Sequence, residues 1–354
     1  MIALRKTAAT FGLELVLLDA LRSPEFDEVL IEVAAAGICG SDLHAYEWTP
    51  GYEFMAANLP VTVGHEFSGV IRSVGEGVSN FTPGDRVVCW PTKTCGKCPS
   101  CLAGEPQNCS RRSIIGLHCD GGFADMVMVP AANCRHVPDD LDLSVAALSE
   151  PLAVAVNAVD IADVQPGSRV VVLGPGPIGL GIAWVAKHRG AEVLIAGLRD
   201  PLRLSLALQM GIDHAADLGE KSLEQAVTDA FGQPADRVIE ATGVARSVSD
   251  GLTVLRPGGV FVVAGIHSKP LELDLTRFVR EKKQLRGAHD TTDRALREAI
   301  SLLAENSDAL SKLITHRCPL SSGVEAFELA RSRQAVKVLL FPQGRDVKLE
   351  GEDA

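Results

Sequence analysis

The chain of 354 residues has no excess of positive charge. Lysine and arginine number 34 against 45 aspartates and glutamates, giving a formal net charge of −11. No basic stripe interrupts this acidity, which argues against nucleic acid and anionic membrane surfaces as partners. A long apolar run is also missing. The longest uncharged apolar stretch, residues 170–186, is broken by Gly174, Pro175, Gly176, Pro177, Gly179 and Gly181 and is too short to span a bilayer comfortably. The opening residues, MIALRKTAATFGLELVLLDA, lack an apolar segment followed by a small-residue cleavage site, so no export signal is expected and the expected location is cytoplasmic. Neither an internal repeat nor a low-complexity segment stands out.

What is present fits a globular protein of about two domains. Hydrophobic residues make up 46% and charged residues 22%, enough to bury a sizeable core. The nine cysteines are an odd number, and four of them, Cys95, Cys98, Cys101 and Cys109, form a C-x2-C-x2-C-x7-C run. Without an export signal this pattern reads as metal binding rather than disulfides. Zn²⁺ held by four sulfurs has no open position, so the cluster is expected to be structural, and any zinc chemistry needs a second set of ligands.

Up to about residue 150 the texture is short apolar runs between turn residues, for example 28–34, 69–74, 85–88 and 124–129, which predicts a β-rich unit. After Pro151 strands and helices alternate. Strands are expected at Arg169–Leu173, 192–196, 236–240 and 259–264, with helices at 178–189 and 201–210, which argues for a parallel sheet. A strong helix follows at Asp293–Glu305, then a returning strand at 335–341 and a polar tail from residue 343 that is expected to fray.

Gly174, Gly176 and Gly179 form a G-x-G-x-x-G pattern between an apolar strand and an apolar helix, with Pro177 and Ile178 at the helix start. Gly174 permits a tight turn, Gly176 lets a pyrophosphate approach the backbone, and Gly179 lets the helix pack on the strand. The helix N-terminus would face the phosphates. At the end of the next strand, where a ribose-binding carboxylate is expected, Gly197 leaves space, and Arg199 and Arg203 could pair with a 2′-phosphate. This predicts NADP in preference to NAD, with Asp200 as the opposing signal. Upstream, Cys39, His44, His65 and Glu66, with Glu150 further on, offer residue types suited to a catalytic zinc of three protein ligands and an open position.

These motifs resemble the zinc-dependent medium-chain dehydrogenase/reductase superfamily. The run Gly64-His65-Glu66-x2-Gly69-x5-Gly75-x2-Val78 matches its zinc signature, and the cysteine lobe and dinucleotide fingerprint follow in the family's order. The resemblance implies an α/β plus β fold, with a GroES-like β-rich catalytic domain at 1–155 carrying a structural zinc lobe at 90–112. A doubly wound Rossmann domain would occupy 156–288, and 289–354 would complete the catalytic domain. It implies two zinc ions per chain, one catalytic and one structural. Cys39 and His65 match catalytic zinc ligands, Asp42 the carboxylate behind the histidine, and Ser41 and His44 a proton relay. Glu150 stands where alcohol dehydrogenases of the liver type have cysteine, a departure that resembles the polyol, sugar and threonine branches. In those branches either Glu66 or Glu150 faces the zinc, and Glu150 could also help to carry the proton.

The function so implied is hydride transfer between a secondary alcohol of a polyol, sugar or related small hydroxy compound and NAD(P). An L-threonine 3-dehydrogenase is the alternative, and a dehydrogenase-like binding or structural protein the non-enzymatic one. A homodimer or homotetramer is expected. The histidines outside the ligand set, His267 among them, are expected in surface or packing roles, and Cys89, Cys119, Cys134 and Cys318 as small hydrophobes.

Overall fold

The structure, a computed structural model, describes residues 1–342. The tail expected to fray lies outside the described residues. The chain divides into two compact units, one built from residues 1–150 and from Leu296 onward, the other from Pro151–Ala295.

In the first unit a mostly antiparallel sheet runs in the order Cys134–His136, Arg86–Cys89, Glu66–Val74, Glu28–Gly37, Lys337–Phe341, Ile314–Pro319, and Met126–Pro130 also pairs with Glu28–Gly37. Alternation explains the long strand Glu28–Gly37, where Val29, Ile31, Val33 and Ala35 turn inward while Glu28, Leu30 and Glu32 are only partly covered. Ala35 packs with Ala147 and Leu339, while Val29, Ile31 and Val33 meet Phe67, Ile71, Phe123 and Phe327 in one apolar core. Burying each such side chain contributes about 1.5–3 kcal/mol. Register shifts at Leu30/Ile31 and Val33/Ala35 mark irregularities where the strand bends. A smaller sheet, Glu14–Leu17, Ile2–Lys6 and Val61–Thr62, was not legible in the sequence.

The second unit is a six-stranded parallel sheet in the order His214–Asp217, Glu192–Gly197, Arg169–Leu173, Ala235–Glu240, Leu255–Val263, Gln284–Gly287. Numbered along the chain this is 3-2-1-4-5-6, the doubly wound arrangement, whose strand order reverses between Arg169–Leu173 and Ala235–Glu240. Parallel strands are covered on both faces, which is why Val170–Leu173 is an unbroken apolar run. The helix after the first strand is Pro177–His188, with its proline in the first turn, where a missing N–H costs nothing. Helix Gly40–Glu47 was not foreseen, because its sequence GSDLHAYE has no apolar stripe. It carries much of the site described next.

Candidate active site and metal centres

Strand register assembles the first cluster. Gly37, the end of the long strand, pairs with Glu66, the start of its neighbour, and also with Leu339. This brings Cys39, His65, Glu66 and Lys337 together. Cys39, His65 and Glu66 each offer a ligand atom within 4.8 Å of the others. His65 follows Gly64, whose φ of +97° suits glycine, and a Cβ there would lie 2.7 Å from the Phe123 ring. Cys39 caps helix Gly40–Glu47, and its N–H donates to Asp42 Oδ2 at 3.0 Å. Asp42 Oδ1 lies 3.5 Å from His65 Nδ1, and both atoms are buried without a hydrogen-bond partner.

Glu66 is fully buried and accepts two bonds from Lys337 Nζ, at 2.7 and 2.8 Å. Lys337 also donates to the Ile38 carbonyl at 3.0 Å. Gly37 makes room for this carboxylate, since a Cβ on it would stand 2.3 Å from Glu66 Oε2. Burial pulls the Lys337 amine down, but Glu66, Cys39 and Glu150 outweigh it and hold its pKa above the usual value. Burial likewise opposes protonation of His65, yet Asp42 and Cys39 hold its imidazole well above the ordinary range. A buried pocket this rich in negative charge, with soft sulfur, imidazole and carboxylate donors, fits a divalent cation such as Zn²⁺.

The other residues expected here are nearby but not all joined. Ser41 Oγ lies 3.3 Å from His65 Nε2. His44 Nδ1 bonds Thr49 Oγ1 at 3.0 Å, and its ring stacks on Tyr52. No hydrogen bond joins Ser41 to His44 among the described residues. Glu150, buried in the first turn of helix Ser149–Ile161, stands outside the 4.8 Å ligand group, though its charge reaches Lys337.

The second cluster is Cys95, Cys98, Cys101 and Cys109, whose sulfurs also lie within 4.8 Å of one another. Cys98 and Cys101 are 3.5 Å apart, as are Cys95 and Cys109. The backbone N–H of Lys97 helps draw Cys95 down to about 5, and those of Cys101 and Ser110 draw Cys98 to about 7. Burial and the neighbouring thiols push Cys101 up to about 11, and four converging sulfurs of this kind suit a tetrahedral zinc.

In the second unit the glycine pattern sits at the carboxyl end of Arg169–Leu173. Gly174 has φ +104°, and a Cβ on Gly179 would lie 1.8 Å from the Gly174 carbonyl oxygen. A Cβ on Gly176 would meet nothing within 4 Å, so the space over it is open to a ligand. Gly197 departs from expectation. It leaves no free space, because a Cβ there would stand 2.8 Å from the Pro175 ring. Close packing on the cradle therefore requires glycine at that position. Asp200 caps its own helix through the Arg203 N–H and pairs with the Arg203 guanidinium, each at 3.3 Å. Arg199 is exposed at φ +52°, its N–H bonded to Asp217 Oδ1 at 2.8 Å.

The family profile described as the alcohol dehydrogenase GroES-like domain matches residues 25–139, and that of zinc-binding dehydrogenases matches 177–305. A sorbitol dehydrogenase of Halalkalibacterium halodurans is 38% identical over 90% of this chain and 93% of its own length. The chain belongs to the zinc-dependent medium-chain dehydrogenase/reductases. An L-threonine 3-dehydrogenase of Bacillus subtilis is also 38% identical, over 96% of this chain and 98% of its own. Among solved structures, a zinc-binding dehydrogenase-type protein from Sinorhizobium meliloti 1021, bound to NADP, is 30% identical with a TM-score of 0.86, covering 96% of this chain and 99% of its own. This medium-chain dehydrogenase is thus an enzyme of the polyol and threonine dehydrogenase branch, acting on CH–OH groups with zinc and NAD(P).

Sequence reasoning missed one member of the dehydrogenase's site, Lys337. Its signal was a single charge inside an apolar strand, KVLLF, which marks a residue forced inward. Several other histidines hold ordinary contacts: His118 stacks on Phe54, His136 on Phe81 and His188 on Trp184. Cys89 and Cys134 are buried, and desolvation raises both thiols, Cys134 to about 12, which leaves them inert.

Proposed function

We propose that this enzyme oxidises a secondary alcohol of a polyol, sugar or related hydroxy compound, with Cys39, His65 and Glu66 as the protein ligands of its catalytic zinc. The observation that carries this reading is the buried Cys39–His65–Glu66 group with Asp42 behind the imidazole. Bound Zn²⁺ supplies a Lewis acid and bound NAD(P) the hydride acceptor. Asp42 fixes the His65 ring and raises its basicity as a ligand. Lys337 offsets one of the buried negative charges. Glu150 stands close enough to influence the same charges and is assigned to the proton side of the reaction. Ser41 Oγ is the first proton acceptor, and His44 hands the proton outward across a bridging hydroxyl or water.

The four cysteines hold a second, structural zinc, giving two per chain. Gly174, Gly176, Pro177, Ile178 and Gly179 cradle the pyrophosphate, and NADP is preferred because exposed Arg199 meets the 2′-phosphate while Asp200 is engaged in its own helix. Arg203, paired with Asp200, contributes less. A homo-oligomer is supported by the edge strand Gln284–Gly287, whose Leu285 is exposed, as are Leu275 and Val279 of the preceding helix.

The deciding experiment measures initial rates on a polyol and sugar panel and on L-threonine, each with NAD and NADP. Turnover of a polyol with higher kcat/KM for NADP is the expected result. Threonine outrunning every polyol would move the assignment to a threonine 3-dehydrogenase, the reading favoured by the Bacillus subtilis relative. A protein with one zinc and no turnover would be a binding or structural member of the family.

A further inference from the structure

Another fully buried carboxylate lies in the dinucleotide unit and belongs to neither ligand group. Glu240 ends the strand Ala235–Glu240 and is fully buried. Its Oε1 accepts the N–H of Thr242 at 2.5 Å, the N–H of Gly243 at 2.8 Å and the Thr242 hydroxyl. Its Oε2 faces His267 Nε2 at 2.9 Å. The Glu240 carbonyl takes the N–H groups of Ala264 and Gly265, so one residue ties together the loops after two adjacent strands. Gly265 is part of the fit, because a Cβ there would lie 2.7 Å from Glu240 Oε2.

The strand order says what this cluster faces. Ala235–Glu240 lies beside Arg169–Leu173, across the point where the order reverses, and ligands of such sheets bind outside the carboxyl ends there. The cluster also abuts the glycine cradle. The Ala241 N–H bonds the Leu173 carbonyl at 2.8 Å, and Thr242 Cγ2 stands 2.8 Å from where a Cβ on Gly174 would be. With the adenosine end of the dinucleotide toward Glu192–Gly197 and the pyrophosphate over the cradle, the nicotinamide half runs toward the ends of Ala235–Glu240 and Leu255–Val263. His267 is four residues past the second of these strands.

A buried carboxylate needs donors on both oxygens. On Oε2 the donor is the imidazole Nε2–H, and in the neutral ring that tautomer leaves Nδ1 as an acceptor. Nδ1 makes no hydrogen bond among the described residues, and the ring is partly open to solvent. This is a ring locked on its inner side and presented on its outer side.

We propose that His267 is a cofactor-binding residue that accepts, through Nδ1, a hydrogen bond from the nicotinamide half of NAD(P), with Glu240 as the positioning residue that fixes its tautomer. The inference rests on the NAD(P) reading of the glycine cradle. One neutral hydrogen bond of this kind is worth about 3- to 10-fold in affinity.

The test is calorimetric binding to the zinc-loaded full chain, with NADPH and with the fragment 2′,5′-ADP, which lacks the nicotinamide nucleoside. His267→Gln keeps a polar group near the Nε2 position for Glu240 but removes the Nδ1 acceptor. It should weaken NADPH binding by about 3- to 10-fold, leave 2′,5′-ADP unchanged and keep the thermal midpoint. ADP-ribose then places the donor. Loss of its affinity in the variant assigns the ribose hydroxyls, and unchanged affinity the carboxamide. Wild-type affinity for NADPH in His267→Gln, or an equal loss for 2′,5′-ADP, overturns the proposal in favour of a role confined to the loop. Failure of the wild-type protein to bind either probe would instead overturn the NADP reading itself.

Discussion

Replacing Lys337 with methionine should destabilise the zinc-free enzyme by about 3–5 kcal/mol, because it strands the Glu66 carboxylate in a dry site. At 2.7 Å, an effective dielectric of about 20 gives roughly 6 kcal/mol of attraction. Desolvation of the two charges takes back several kcal/mol, so the pair as a whole is close to neutral for stability. What remains is an asymmetry. Removing either partner alone is costly, whereas removing both exchanges a balanced pair for neutral groups. Glu66→Gln should cost a similar amount, and Glu66→Gln with Lys337→Met should lie within about 1 kcal/mol of the wild type. The double-mutant cycle then carries a coupling energy of at least about 5 kcal/mol.

Urea unfolding without zinc, where Lys337 is the cation facing Glu66, measures the cycle, and metal analysis of the zinc-loaded proteins separates the two roles of Glu66. Lys337→Met should keep both zincs, while Glu66→Gln should lose the catalytic one. A Lys337→Met cost under about 1 kcal/mol, or additive single effects, would refute the argument. In that case the carboxylate would have found water or another cation, and the dry pair would not exist in solution.

Three further outcomes are expected. Gly179→Ala puts a methyl 1.8 Å from the Gly174 oxygen, so helix and strand must part, and NAD(P) binding measured by calorimetry should fall by more than about tenfold. Cys98→Ser should lower the zinc content by one per chain and reduce the melting temperature while Cys39 and His65 keep their own metal; an unchanged melting temperature would remove the structural role of the lobe. Asp236 is opposed by burial, but bonds from Arg169 and Arg256 hold its carboxyl well below the usual range. A depressed folded pKa gives stability present above the unfolded value of about 3.9 and lost as pH falls through the folded one. Asp236→Asn should therefore cost about 2 kcal/mol in urea unfolding at pH 7 and make stability less steep with pH below about 4, which unchanged slopes would contradict.

The metal and cofactor motifs were legible because their chemistry is local. Cys95, Cys98, Cys101 and Cys109 lie on one short loop, so their spacing alone brings four sulfurs together. The glycine cradle is likewise a strand, a turn and a helix in immediate succession. The strand at 28–34 was readable in the same way, as a short apolar run between turn residues.

Charge compensation is the part that sequence spacing does not carry. Glu66 and Lys337 are 271 positions apart, and only the pairing of Gly37 with both Glu66 and Leu339 makes them neighbours. Ligand types at Cys39, His65 and Glu66 can be listed from the motif, but which carboxylate is neutralised depends on that register. Gly197 shows the converse. A glycine at the strand end read as room for a phosphate, yet its hydrogen is required by the ring of Pro175, twenty-two positions earlier, in the cradle itself. His267 had no motif at all; its partner Glu240 is found only by following two parallel strands to their common end. In each case the missing information is the register of paired strands, which sets where a buried charge meets its counterion and where a side chain has no room.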